Sequence, residues 1–143
     1  MVALSAAKRA DCARAIPLFW RPAADADAKQ GAWFVHLLTR DTTIALVHDG
    51  ATGIDGFLIG LVGAAPPVYD PGGSTLTIDD FCVREPGLWA TVGRSLLGRA
   101  RLEGRARGGV QVVVVCGAHD AHKLAILGDG ALRVASHWFT GPI

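Results

Sequence analysis

Three consecutive stretches constrain the fold more than anything else in the chain. Leu76–Val83 is apolar and β-branched, Leu88 to about Arg107 carries apolar residues at helical spacing, and Val110–Cys116 is the unbroken run "VQVVVVC". Strand, helix and strand in that order make a βαβ unit, which needs a sheet with helices packed on it. Within the helix, Val92, Leu96, Leu97 and Ala100 form the stripe toward the sheet, while Arg94, Arg101 and Arg105 share the other side. The Val110–Cys116 run predicts a strand buried on both faces.

The rest of the chain fits around this unit. Val2–Ser5 reads as a short first strand. Lys8–Trp20 reads as a helix with Cys12, Ala15, Ile16 and Phe19 at helical spacing, ended by Pro22. Ala26–Leu38 is a second helix, with Trp33, Leu37 and Leu38 on one face. Thr43–Val47 and Ile54–Val62 flank the turn-rich "HDGATG" and predict a hairpin. The prolines of "APPVYDPGG" lack ladder donors, so this stretch is a long loop. His119–Leu127 is a short helix stopped by "GDG", and Leu132–Phe139 is a closing strand. The predicted order is β-α-α-β-β-β-α-β-α-β. It describes one domain over residues 1–143, α/β (α+β) in class, with a mixed sheet and helices on both faces.

Composition narrows the function. The net charge is +1 over 143 residues, which argues against a nucleic-acid partner. The longest apolar runs, "GFLIGLVGAA" and "VQVVVVCG", fall far short of the ~20 residues that span a bilayer, so no membrane partner is expected. Half of the residues are apolar, enough for a core without disulfides. Cys12, Cys82 and Cys116 are odd in number and widely spaced, and read as reduced, packed thiols. Charges early in "MVALSAAKRADCARA" stand where a signal peptide needs its apolar stretch. A cytoplasmic protein is expected.

The stretch "REPGLWATVGRSLL" carries the chemistry. A helix start leaves about four N–H groups without intrahelical partners, and its dipole favours anions. Gly93 would let backbone approach such a ligand, and Arg84 and Arg94 add positive charge at its edges. With the order of strands and helices, this stretch resembles the GNAT superfamily of N-acetyltransferases. The family's cofactor loop runs Gln/Arg-x-x-Gly-x-Gly/Ala, then a basic residue and a Leu pair. Gly93, Arg94, Leu96 and Leu97 stand in register, with Leu88 at the Gln/Arg position and Thr91 at the first glycine. The resemblance implies a mostly antiparallel sheet in which the parallel strands Leu76–Val83 and Val110–Cys116 splay apart around acetyl-CoA. The implied cofactor contacts are backbone groups of Cys82 and Val83, with Arg84, Leu88, Trp89, Ala90, Thr91, Val92, Gly93, Arg94 and Ser95. Trp89 either covers the cofactor or packs, and the Thr91 hydroxyl could donate to a phosphate.

Attack of an amine on a thioester needs a base for the ammonium proton and donors for the oxyanion. The family often places a carboxylate on this strand, where Asp79 and Asp80 are adjacent. By strict alternation Thr77, Asp79 and Phe81 share one side and Ile78, Asp80 and Cys82 the other, so at most one acid faces the cleft. Asp80 is favoured, with Asp79 close behind. The family's next helix often reads Asn-x-x-Ala-x-x-Leu-Tyr-x-x-x-Gly-Phe. Counted back from Gly130, His119 stands at the Asn that orients the cofactor in the family, and Ile126 at the Tyr that protonates the thiolate there. The usual acid is therefore missing, and His119 is a candidate for both cofactor contact and catalysis. Cys116, His119 and His122 lack a second cluster to complete a tetrahedral metal site, so no metal is expected. His122 and Lys123 read as solvated helix residues, and Trp20, Trp33 and Phe34 as core packing, with the wall of a substrate pocket as the alternative.

These residues predict an acetyl-CoA-dependent N-acetyltransferase acting on an amine of a small molecule or peptide. The alternative is a non-catalytic acyl-CoA-binding or regulatory domain. The closing strand is the element expected to pack on the cleft or on a homodimer mate.

Overall fold

The computed structural model describes residues 1–143. Helices α1 (Val2–Ala15) and α2 (Ala26–Leu38) come first. Strands β1 (Thr43–Gly50), β2 (Gly53–Gly63) and β3 (Ser74–Val83) follow. A 3-10 turn at Pro86–Ala90 leads into α3 (Val92–Ala106), then β4 (Gly109–Val114) and α4 (Ala121–Asp129). The sheet runs β1-β2-β3-β4, antiparallel at its first two pairings and parallel between β3 and β4. The predicted hairpin turns between Gly50 and Gly53, and Gly53 sits at φ +109°, where only glycine is unstrained.

Helices cover both faces of the sheet. On one face, Ile44, Leu58, Leu76, Ile78 and Phe81 pack with Trp89, the stripe Val92, Leu96, Leu97 and Ala100 of α3, and Ile126 and Leu127 of α4. On the other, Phe57, Ile59 and Cys82 pack under Phe34 and Leu37 of α2, with Met1, Val2 and Leu4 alongside. No helix is long and apolar enough to cross a membrane.

Several expectations are corrected. Val2–Ser5 is the first turn of α1, because Val2 and Leu4 reach the sheet from a helix. That helix stops at Ala15, ahead of Pro17, which removes a donor and restricts Ile16. On α2, Phe34 and Leu37 are buried, whereas Trp33 and Leu38 are exposed. The single helix expected from Leu88 breaks at Thr91, and the last helix begins at Ala121 rather than His119.

The largest correction concerns the sheet's end. Leu132–Phe139 is not a strand; only Leu132 packs on the core, and Trp138 and Phe139 are exposed. β4 is therefore an edge strand, with Val110 and Val113 exposed rather than buried on both faces. A β-branched run reports strand propensity, and burial depends on what lies beside the strand. Deleting residues 135–143 is expected to change stability by no more than about 0.5 kcal/mol, since these side chains bury almost nothing. Comparing the denaturation midpoints of the two chains checks this, and a large loss would show that the tail holds the fold.

Candidate functional site

The site begins with an irregularity in β3. Its register with β2 shifts between Ile59 and Gly60: Ile59 faces Asp80, Gly60 faces Ile78, and Asp79 is the extra residue. Such a bulge bends its strand and increases the local twist. β4 follows β3 only to this point, where Val115 N–H donates to Ile78 O at 2.9 Å. Beyond it β3 continues to Val83 with no strand on that side, and a gap opens.

Backbone direction along the gap follows from one bond. Arg84 N–H donates to Asp55 O on β2 at 2.7 Å. By antiparallel alternation, Asp80 and Cys82 also turn their backbone toward β2, while Phe81 and Val83 turn theirs toward the gap. Of the two residues expected to offer backbone pairing, Val83 turns its backbone to the gap and Cys82 turns its backbone to β2.

The bulge also resets the side chains. Ile78 and Phe81 both enter the α3-side core, so the expected grouping of Phe81 with Thr77 and Asp79 is overturned. Asp80 and Cys82 turn to the α1/α2 face, while Asp79 is exposed.

On that face lies a cleft of about 360 Å³ walled by α1, the Phe19–Ala23 segment, α2 and β3. A relay orients its acid. Arg9 of α1 pairs with Asp27 and donates to Gln30 Oε1 at 2.6 Å, and Gln30 Nε2 donates to Asp80 Oδ1 at 3.4 Å. Burial and the neighbouring Asp79 carboxylate push the Asp80 carboxyl up to about 6, against the pull of Lys123, Arg9 and the Gln30 bond. Cys82 is pushed up to about 11 by burial, so it stays a neutral thiol at physiological pH. Ser5 Oγ is buried at the cleft wall with no hydrogen-bond partner.

Lys123 corrects another expectation. Instead of being solvated it is 1% exposed, and its ammonium lies in the gap itself, donating to Phe81 O at 3.3 Å and Val115 O at 2.8 Å. Burial, with the like charge of Lys8, lowers it to about 8. Asp120, the N-cap of α4, accepts from Lys123 N–H and pairs with Lys8 of α1, tying α1 to the start of α4. Burial opposes both charges of that pair, yet their mutual bond prevails, raising Lys8 and lowering Asp120. The sequence reading missed Lys123, Lys8, Gln30 and Ser5. A signal for Lys123 was present: it shares the i, i+3, i+4 stripe with Ile126 and Leu127.

At the mouth of the gap, the 3-10 turn delivers Trp89 edge-on to Phe81, with ring centroids 4.8 Å apart. Trp89 is buried, so of its two expected roles the structure supplies packing. A Cβ on Gly93 would fall 2.6 Å from Trp89 Cε3, so the missing side chain makes room for this ring. The i→i−4 ladder of α3 starts with Ser95 N–H donating to Thr91 O; the N–H groups of Val92, Gly93 and Arg94 lie ahead of it. Ala90, Thr91 and Ser95 are exposed around this start, and Leu88 packs against the core. Arg84 is tied to the hairpin through Thr52, Ile54 O and Asp55, and Arg94 pairs with Asp129. His119 is exposed, with its ring over Gly117. A second recess, about 150 Å³ between α3 and β4, lies at the far end of the sheet beside Gly109.

No protein-family model matches the chain, and no curated protein matches it in sequence. Its fold does match solved structures. A mutant of the BH1408 protein from Bacillus halodurans superposes with a TM-score of 0.82 at 14% identity, over 99% of this chain and 90% of that one. A putative acetyl transferase from Pyrococcus furiosus gives 0.67 at 16% identity, over 93% and 90% of the two chains. The aminoglycoside N-acetyltransferase AAC(6')-Iy, solved in complex with CoA, gives 0.65 at 11% identity, over 81% and 87%.

Proposed function

On the premise that the chain has the GNAT-like α/β fold, we propose that it is an acetyl-CoA-dependent N-acetyltransferase acting on an amine of a small molecule or peptide. The observation that carries this reading is the gap between β3 and β4. There β3 runs on past the end of its pairing with β4, and the cleft on the α1/α2 face beside it holds a carboxyl raised to about 6.

The chain's own groups suit each part of the donor. The N–H groups at the start of α3, with the Thr91 and Ser95 hydroxyls beside them, suit a pyrophosphate. The backbone N–H and C=O of Val83 suit the amides of an extended arm laid along β3 as an added strand. When bound, acetyl-CoA would supply an activated acyl group at the gap. Asp80, held by Gln30, accepts the proton that an acceptor ammonium must lose before its nitrogen can attack. A pKa near 6 leaves Asp80 ionised at neutral pH and still basic enough to accept that proton.

Thermal denaturation with acetyl-CoA, free CoA or neither tests the donor site. Ligand at 100 times its Kd adds about 2.7 kcal/mol, a rise of several degrees. A melting temperature that neither ligand moves at millimolar concentration would exclude this donor. Turnover is then measured as thiol release across a panel of amines.

A further inference from the structure

Lys123 is placed at a cost that the fold alone does not explain. It leaves the first turn of α4 on the α3 side of the sheet, yet its Nζ lies between β3 and β4 and borders the cleft on the opposite face. An ammonium removed from water is expensive unless paired, and Lys123 has no carboxylate partner: Asp120, on its own helix, is bonded to Lys8. What holds the charge is two carbonyl oxygens, with the Phe81 and Trp89 rings at 5.1 and 5.5 Å. An ammonium has three N–H donors, and the two carbonyls use two of them. Ile126 and Leu127, on the same stripe of α4, show that an apolar side chain would suit this packing.

Resting on the acetyl-transfer reading above, we propose that Lys123 is the catalytic proton donor to the departing thiolate. The acceptor nitrogen forms a bond to the acyl carbon, and the carbonyl π pair moves to oxygen. When that pair returns, the C–S bond breaks with its electrons on sulfur. One Nζ–H proton passes to the sulfur, so CoA leaves as the thiol and Lys123 remains as a neutral amine. The acceptor ammonium sheds two protons in all. Asp80 takes the first, and water takes the second. One of them returns to Lys123, and the other is the net proton released.

The gap lets a residue rooted on the α3 face act in the cleft on the other. No other side chain in the gap does this: the only tyrosine, Tyr69, is exposed in the long loop, and burial keeps the Cys82 thiol a weak acid. Lys8 from α1, Asp80 and Cys82 from β3, Cys116 beyond β4 and Asp120 on α4 face the ammonium. Their summed influence and burial leave it near 8, so it is charged at neutral pH and can release a proton.

The experiment compares wild type with Lys123→Met and Lys123→Arg. The chain has three lysines, so 15N-lysine NMR without any ligand can follow Lys123 directly. Its signal is expected to titrate near pH 8 and to vanish in Lys123→Met. Both variants are expected to keep the acetyl-CoA-induced rise in melting temperature while kcat falls about 100-fold. The fall of wild-type kcat above about pH 8 is expected to be absent from Lys123→Arg, whose guanidinium does not titrate there. Should Lys123→Met fail to fold, Lys123→Arg carries the test, since it keeps the charge.

Wild-type kcat in either folded variant, or a Lys123 signal titrating near its ordinary value of 10.5, would overturn the proposal. So would mass spectrometry that finds the acetyl group transferred onto Lys123 itself. A wild-type chain that binds no acetyl-CoA removes the acetyl-transfer reading first, whatever the NMR titration shows. The two failures are therefore distinguishable.

Discussion

Asp80→Asn is expected to raise the melting temperature at pH 7.5 and to cut the proposed acetyl transfer sharply at the same time. The folded-state pKa of Asp80, about 6, lies above its ordinary 3.8. Between these values the folded chain holds a proton that the unfolded chain has released. The group's contribution to stability is therefore fully present below about pH 4 and lost as pH rises through 6. Above pH 6 the half-buried carboxylate is a net cost, of order 1–2 kcal/mol once screening by the water that reaches it is allowed for. Asparagine removes the charge and keeps a hydrogen-bonding group for Gln30. A gain of a few degrees above pH 6 that disappears near pH 4 is the expected profile. Turnover should fall by about 10²–10⁴-fold with acetyl-CoA affinity unchanged. If Asp80→Asn keeps wild-type turnover, Asp80 is not the base; if Asp79→Asn is the inactive variant instead, the relay through Arg9 and Gln30 orients the wrong carboxylate.

Trp89→Ala and Gly93→Ala are expected to destabilise strongly, and not additively. Trp89 is buried against Phe81, and truncating such a side chain costs about 3–5 kcal/mol, on the order of 10 °C in melting temperature for a chain of this size. Gly93→Ala places a methyl group 2.6 Å from Trp89 Cε3 and should cost about 1–3 kcal/mol, because neither the helix start nor the packed ring can give way freely. In the Trp89→Ala background that clash is gone, so adding Gly93→Ala should cost almost nothing more. Denaturant midpoints of the four chains form the cycle. Equal costs of Gly93→Ala in both backgrounds would mean that the ring is not what requires the glycine. Acetyl-CoA binding separates a second role: if bound phosphate also needs Gly93, the double variant folds like Trp89→Ala but loses the response to ligand.

Gly93 shows how a residue can be singled out for one reason and prove to have another. Its place at a helix start after a strand marked it as a point of close approach, which it is. What approaches it in the structure is the indole of Trp89, four residues earlier. Sequence spacing detects that space is needed but does not identify the occupant. The same limit applies to "VQVVVVC" at Val110–Cys116. β-branching predicted the strand, but the missing closing strand leaves it at the sheet's edge. In α4, one lysine on an otherwise apolar stripe read as solvated, although the stripe itself pointed inward.

Local chemistry in the sequence was enough to determine the hairpin around Gly53, the βαβ unit, the inner stripe of α3 and the adjacent pair Asp79 and Asp80. Each depends on periodicity, turn residues or backbone freedom within a few positions. The orientation of the site was decided by the tertiary structure alone. Strict alternation could not reveal that one extra residue at Asp79 would place Ile78 and Phe81 in the same core, turn Asp80 into the cleft and part β3 from β4. A bulge exists only relative to the neighbouring strand's register, and the neighbour of Asp80 is Ile59, far away in the chain. The ammonium of Lys123 reaches the cleft for the same reason: the gap it fills is made by two strands that part.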